Sequence, residues 1–294
     1  MQSKGKAFSI LLVMLVAACS VGGCGRSAGV ADKAIVDSSQ CGRSSDEAGM
    51  MRFTVVCDNN PFAEGLRTSW GFSCLVECKK STTLFDTGSN YDVLSHNMSR
   101  LGIDPKTINA VVLSHAHSDH TGGLPGFLRS NPRVEVYVPA SLPSGTKDLI
   151  RNSGAHLIEA SGARSIYDDV YTTGEMGKEI KEQALVVQSE AGLVVITGCA
   201  HPGVVDIVRV ARDLGSGEVA LVMGGFHLGN KSSEEIDMVI SEFKAMGVSH
   251  VGPCHCTGQR AMAAFLNAYG GAFFKTGVGK TISDRDLEQD DEKG

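Results

Sequence analysis

The chain has 294 residues, 42% of them hydrophobic and 20% charged, with a formal net charge of −6 at pH 7. This is the usage of a folded globular protein, and it excludes the basic footprint of a nucleic-acid binder. Once a leader and linker are set aside, about 240 residues remain, enough for one sizeable core.

The first predicted element is an export signal. Lys4 and Lys6 precede the largely apolar run 7–18, which ends at Cys19. Such a run is too short to span a bilayer but suits the core of a signal peptide. Val16-Ala17-Ala18-Cys19 resembles a bacterial lipobox, and the stretch ending at Cys24 is a poorer second match. Residues 1–18 are therefore expected to be cleaved, Cys19 to be lipidated, and 19–50 to form a flexible tether. The expected location is the bacterial cell envelope, exported and lipid-anchored. The folded domain is placed at 51–283, followed by an acidic, disordered tail over 284–294.

Within the domain, apolar patterning predicts strands near 52–58, 70–78 and 81–86, then a helix near 91–101 and a strand over 109–114. A helix near 124–130 and a strand over 134–139 follow. The second half reads as strands 184–189 and 192–197, helix 204–214, strand 218–223, helix 233–246, strand 248–252 and helix 258–269. Mixed strands followed by β-α alternation, given twice, suit two sheets packed face to face with helices outside.

Chemistry concentrates directly after the run Asn109 to Leu113, in Ser114-His115-Ala116-His117-Ser118-Asp119-His120. Imidazole and carboxylate at this density are the donors of zinc, iron or manganese sites. His115 and His117 alternate along a strand end and point to one side. Asp119 and His120 follow as the chain turns, and Gly122-Gly123 let it bend. Further ligands must come from other strand ends. His201, His227 and His255 each stand in a small-residue turn after an apolar run: Gly198 to Gly203, Gly224 to His227, and Pro253 to Gly258. Asp86, in Phe85-Asp86-Thr87-Gly88, ends another strand. Asp46, Glu47, Glu77 and Glu182 lie outside these motifs and read as solvated charges.

The H-x-H-x-D-H pattern resembles the metallo-β-lactamase superfamily. Together with Phe85 to Gly88, Gly198 to Gly203, Gly224 to Leu228 and Cys254 to Gly258, it resembles the branch named for the dihydropterin-aminobenzene-phosphate synthase of tetrahydromethanopterin synthesis. The resemblance covers about Arg52 to Ile282, and it implies an αββα sandwich of mixed α/β class with metals at one edge. It also implies two divalent metal ions, zinc first, with iron or manganese suited to the same donors. His115, His117 and His201 would hold the first; Asp119, His120 and His255 the second. Asp86 would orient the loop carrying the first ligands. One departure is visible: many members bridge the metals with a strand-ending Asp, where this chain reads Gly224-Gly225-Phe226-His227.

These ligands imply a hydrolase of a small-molecule ester, lactone or phosphoester, using water activated on the metals. Asp119 would orient that water, and either metal-bound water or a free His227 would protonate the leaving group; otherwise His227 would serve as a ligand or substrate contact. No G-x-S-x-G elbow supports a serine mechanism. The alternatives are a synthase or transferase like the branch's namesake, or a metal-binding lipoprotein without turnover. The expected partners are a small-molecule substrate and, through Cys19, a membrane; no nucleic acid is expected. Among the nine cysteines, Cys57 could pair with Cys74, or Cys74 with Cys78, in an oxidising compartment. Cys254 and Cys256 flank His255, so a thiolate ligand stays open, although in an extended segment alternate residues would point away from it.

Overall fold

The computed structural model describes residues 50–288. The predicted leader, Cys19 and nearly all of the tether lie outside them, as do residues 289–294. The first half of the domain contains β1 (Arg52–Cys57), β2 (Ser73–Glu77), β3 (Thr82–Phe85), α1 (Tyr91–Arg100), β4 (Ala110–Val112), α2 (Ser118–Thr121), α3 (Leu124–Ser130), β5 (Glu135–Pro139), α4 (Ser144–Ser153) and β6 (His156–Ala160). The second half contains β7 (Arg164–Tyr167), β8 (Val170–Thr172), β9 (Leu185–Ser189), β10 (Gly192–Thr197), α5 (Val204–Leu214), β11 (Val219–Gly225), α6 (Ser233–Ala245), β12 (His250–Cys254), α7 (Gln259–Tyr269), β13 (Thr281–Ser283) and α8 (Asp284–Glu288).

Two mixed sheets result, one ordered β13-β1-β2-β3-β4-β5-β6 and the other β12-β11-β10-β9-β8-β7. Side-chain alternation explains how they stack. On β10, Val194 and Ile196 face a cluster shared with Phe53, Phe85 and Val112 of the other sheet. The intervening Leu193 and Val195 face a second cluster with Val204 and Val208 of α5 and Phe243 of α6. On β4, Ala110 and Val112 point inward while Val111 packs with Leu94 of α1 and Phe127 of α3. Strands apolar on both faces need covers on both faces, which gives the four layers αββα.

Helix starts follow local chemistry. The Asn90 side chain accepts from Val93 N at the start of α1. Ser232 and Glu235 form a reciprocal capping box on α6. These caps fix where the helices begin, and therefore how long the preceding strand-end loops are.

The structure corrects the sequence reading in several places. Segment 140–183, which carried no assignment, holds α4 and β6 to β8; β6 and β7 are largely exposed and lack the apolar alternation that announces a strand. The acidic tail does not begin at 284. Residues 284–288 form α8, Leu287 is buried, and Asp284 Oδ2 accepts from Met51 N at 3.1 Å. The disulfides are also absent among the described residues, where all six cysteines are free. Cys74 points into the core between the sheets and Cys57 into the layer under α1, so β1 and β2 present them on opposite faces. Cys74 and Cys78 lie four strand residues apart, about 13 Å, well beyond disulfide reach.

Candidate metal centre

Every chemically marked loop leaves the carboxyl end of a strand at one edge of the sandwich. β10, β11 and β12 are parallel neighbours, so the turns after them, carrying His201, His227 and His255, emerge side by side. β3 and β4 are likewise parallel, which sets Asp86 beside Ser114 and the His115 to His120 loop. The two sheets thus bring residues far apart in sequence to one edge.

There the histidines converge. The rings of His115, His117 and His201 form a triangle, with centroids 4.6, 4.7 and 4.9 Å apart. Their ligand atoms all lie within 4.8 Å of one another, as do those of the adjoining set Asp119, His120, Cys199 and His255. Asp119 Oδ2 is 3.3 Å from His255 Nε2 and 3.5 Å from His120 Nε2. Bonds of about 2.0–2.1 Å opened to the tetrahedral angle separate two ligand atoms by about 3.3 Å, so these spacings fit one small divalent ion.

The second ring nitrogens explain why the first ones point inward. His120 Nδ1 donates to Asp86 Oδ2 at 2.6 Å. His201 Nδ1 donates to Glu182 Oε2 at 2.8 Å, and His255 Nδ1 to Asn59 Oδ1 at 2.9 Å. His115 Nδ1 lies 2.8 Å from Ser114 Oγ, which donates onward to Asp86 Oδ2 at 2.7 Å. Asp86 therefore orients one histidine of each set, directly or through Ser114. With Nδ1 carrying the proton of the neutral ring, each Nε2 is the atom left to face a metal, His120 giving up its second proton on binding. Two of them, on His115 and His255, are buried and make no hydrogen bond. Orphaned buried nitrogens cost about 1–3 kcal/mol each, and a metal ion would satisfy both. The donor set fits the ions that the sequence motif implies.

Electrostatics agree. Burial, with His120 nearby, pushes His115 down to about 2, so it stays neutral and able to ligate. Burial would raise Asp119, yet the His120 and His255 imidazoles hold it well below the carboxylate range. Glu182 is also buried, but His201 and three backbone N–H groups hold it at about 2. Backbone strain gathers in the same place. Among the described residues the only non-glycine positions with positive φ are Asp86, Ala200, His227 and His255. Each costs of order 1 kcal/mol and persists because the surrounding bonds enforce it.

Glu182 corrects the sequence reading most clearly. It is no solvated charge: its carboxylate accepts from Cys199 N, Ala200 N and His201 N at 2.8–2.9 Å as well as from the His201 ring. The other charges are more ordinary; Glu77 pairs with Arg52 near the surface. Cys256 is a second correction. His255–Thr257 is a tight 3-10 turn with His255 at φ 49°, so Cys256 does not alternate away. Its sulfur lies within 4.8 Å of the ligand atoms of Cys199 and His227. Ser114, Asn59 and Cys199 were also missed as site residues.

Hollows flank the centre, two of them against His201 and His255. One of about 750 Å³ is lined by Met176, Ile180, His201, Pro202 and His227. The other, about 260 Å³, is lined by Asn59, Trp70, His255, Gln259 and Met262. Trp70 is 59% exposed and its ring lies 5.0 Å from that of His255. An exposed indole at the mouth of a polar centre is a ready contact for a ligand.

Comparison with known proteins agrees with this fold. Residues 71–213 match the family model described as the metallo-beta-lactamase superfamily. The 7,8-dihydropterin-6-methyl-4-(beta-D-ribofuranosyl)-aminobenzene-5'-phosphate synthase of Methanocaldococcus jannaschii is 29% identical over 273 residues, 76% of this chain and 92% of that protein. Among solved structures, Tm1679, a metal-dependent hydrolase of the beta-lactamase superfamily, superposes with a TM-score of 0.67 at 29% identity. That match covers 79% of this chain and 98% of Tm1679. The metallo-beta-lactamase fold protein YhfI from Bacillus subtilis shares the fold at 16% identity, with a TM-score of 0.62 over 80% of this chain and 99% of its own. The chain has the metallo-β-lactamase fold, and in sequence it is similar to that superfamily over residues 71–213 and to the dihydropterin-aminobenzene-phosphate synthase branch.

Proposed function

We propose that the chain is a dinuclear metal-dependent hydrolase of a small-molecule ester, lactone or phosphoester. One observation carries the reading: two adjoining ligand sets converge on one edge, with four of their histidines fixed through Nδ1. His115, His117 and His201 would hold one ion; Asp119, His120 and His255 the other. Zinc suits these donors, and iron or manganese can use them as well. Divalent ions bound there would acidify a water and polarise the oxygen under attack.

The remaining work falls to the chain. Asp119 stays ionised between His120 and His255 and accepts a hydrogen bond from the attacking water, aligning it. His227 projects into the larger hollow beside His201, their rings 4.5 Å apart. A hydrogen bond with Cys256 raises its pKa above the ordinary histidine value, which favours the protonated form whose proton would pass to a leaving group. Lipid attachment at Cys19 and action outside the cytoplasm belong to the same proposal, and nucleic acid is not among the proposed substrates.

The test is hydrolysis of esters, lactones and phosphoesters by the metal-loaded chain, compared with its His227→Gln variant. Turnover that falls at least tenfold in the variant, with metal content unchanged, supports the assignment. No turnover on any of the three classes would overturn the hydrolase.

A second reading has specific support. The synthase of M. jannaschii is as similar in sequence as the metal-dependent hydrolase Tm1679, so likeness does not choose between them. A pterin-type synthase or transferase would join two substrates rather than consume water. Incorporation of oxygen from labelled water into product distinguishes the hydrolase from it. The predicted export leader favours the hydrolase, because pterins are made and used in the cytoplasm.

A further inference from the structure

The centre contains sulfur that the histidine-and-carboxylate scheme does not use. Six cysteines stand among the described residues. Cys57, Cys74 and Cys254 belong to apolar core clusters, and Cys78 packs against one of them. They are the ordinary case, buried thiols acting as small hydrophobes. Cys199 and Cys256 belong to no apolar cluster.

Cys199 is 4% exposed, and its Sγ lies 3.2 Å from His120 Nε2, a nitrogen aimed at the centre. Its ligand atom lies within 4.8 Å of those of Asp119, His120 and His255. A tetrahedral ion with bonds of about 2.0 Å to nitrogen and about 2.3 Å to sulfur separates those two donors by about 3.5 Å. The backbone is held to match: Cys199 N donates to Glu182 Oε1 at 2.8 Å, which pins the turn that aims the sulfur.

The end of β11 supplies the complementary observation. The superfamily's bridging carboxylate is missing from Gly224 to His227. A side chain at Gly225 could not be added simply, since its Cβ would stand 2.3 Å from Gly198 O, 2.8 Å from Cys256 Sγ and 3.2 Å from His255 Cδ2. Gly198 O and Cys256 Sγ together occupy the volume that such a side chain would need, and the Cys256 sulfur lies 3.7 Å from Cys199 O. The space is thus closed to a side chain at Gly225, while two sulfurs, of Cys199 and Cys256, stand near it.

We propose that Cys199 is a metal ligand, its thiolate joining Asp119, His120 and His255 as the fourth donor of the second subsite. On coordination the S–H proton leaves to solvent and a sulfur–metal bond forms, with no change of oxidation state. The thiolate supplies negative charge that the absent carboxylate does not. A sulfur donor favours zinc, iron or cobalt over magnesium, calcium or manganese. Cys256 acts as the wall that keeps the Cys199 turn in place.

This inference rests on the metal-centre reading, and cobalt separates the two. The full-length chain, its Cys199→Ser variant and its Cys256→Ser variant are loaded with Co(II) under anaerobic, thiol-free conditions. Cobalt content and the absorption spectrum are then recorded. The wild-type protein is expected to show the strong near-ultraviolet sulfur-to-cobalt charge-transfer band. That band is lost in Cys199→Ser, while the weaker visible bands of nitrogen- and oxygen-bound cobalt persist, and it is kept in Cys256→Ser. Cobalt bound by the wild type without the near-ultraviolet band overturns sulfur ligation and leaves the metal centre standing. A band that follows Cys256 overturns the choice of Cys199. Failure of the wild type to bind cobalt overturns the metal-centre reading itself. If Cys199→Ser does not fold, cobalt-edge X-ray absorption on the wild type decides, through the presence or absence of a sulfur shell at about 2.3 Å.

Discussion

Glu182→Gln tests whether one buried carboxylate organises the His201 turn. The wild-type group accepts four hydrogen bonds, three from backbone N–H and one from His201 Nδ1. It is 0% exposed, and although burial opposes ionisation, these donors lower its pKa from 4.5 to about 2. A depressed carboxylate stabilises the fold above its unfolded pKa, and that contribution disappears as pH falls through the folded value. At 1.36 kcal/mol per unit the contribution is about 3 kcal/mol at pH 7, with roughly 1 kcal/mol left at pH 3. Glutamine keeps one acceptor oxygen but turns an NH₂ group towards donors, so the variant loses this term. The assay is urea unfolding of the metal-free wild type and variant at several pH values. The wild type is predicted to lead by about 3 kcal/mol at pH 7, with the gap shrinking by about 2 kcal/mol by pH 3. A gap that stays constant across that range would refute the reasoning. In the metal-loaded protein, His201 without its anchor should hold the first ion 10- to 100-fold more weakly, as typically follows loss of an outer hydrogen bond (roughly).

Further expectations concern the other anchors and the substrate side. Asp86→Asn should weaken both subsites, by about 10-fold or more, since Asp86 reaches His120 directly and His115 through Ser114; isothermal titration with zinc would show it. In the metal-free protein burial lowers His120, but Asp86 and Asp119 outweigh it and raise the pKa to about 10. Metal uptake must displace that proton, so affinity should rise with pH by up to about tenfold per unit below 10, measured by competition with a chelator. The wild-type kcat profile should fall on the alkaline side as His227 loses its proton, and His227→Gln should lack that limb. Trp70→Ala should change KM more than kcat and leave Tm nearly unchanged, because the indole is 59% exposed beside the centre.

What was legible in the sequence followed from periodicity and from placement at strand ends. The doubly apolar runs Ala110 to Leu113, Leu193 to Thr197 and Val219 to Met223 marked buried strands, and each led into a ligand-bearing turn. Histidine density located the centre because the motif itself is local. Glu182 was illegible for the opposite reason. It stands in the polar stretch Lys178 to Gln183, and its partner His201 comes near only when β9 and β10 pair and fold the chain back. Cys256 departs from the expectation for an extended backbone because His255 adopts a left-handed conformation. The exposed edge strands β6 and β7 carried no apolar alternation to read.

Metal content per chain tests the central claim most directly, measured by elemental analysis after dialysis on the full-length protein and on His255→Ala. The account predicts about two ions in the wild type and about one in the variant, the number expected of a two-metal hydrolase and of its half-emptied centre. About one ion or fewer in both proteins would contradict a dinuclear centre.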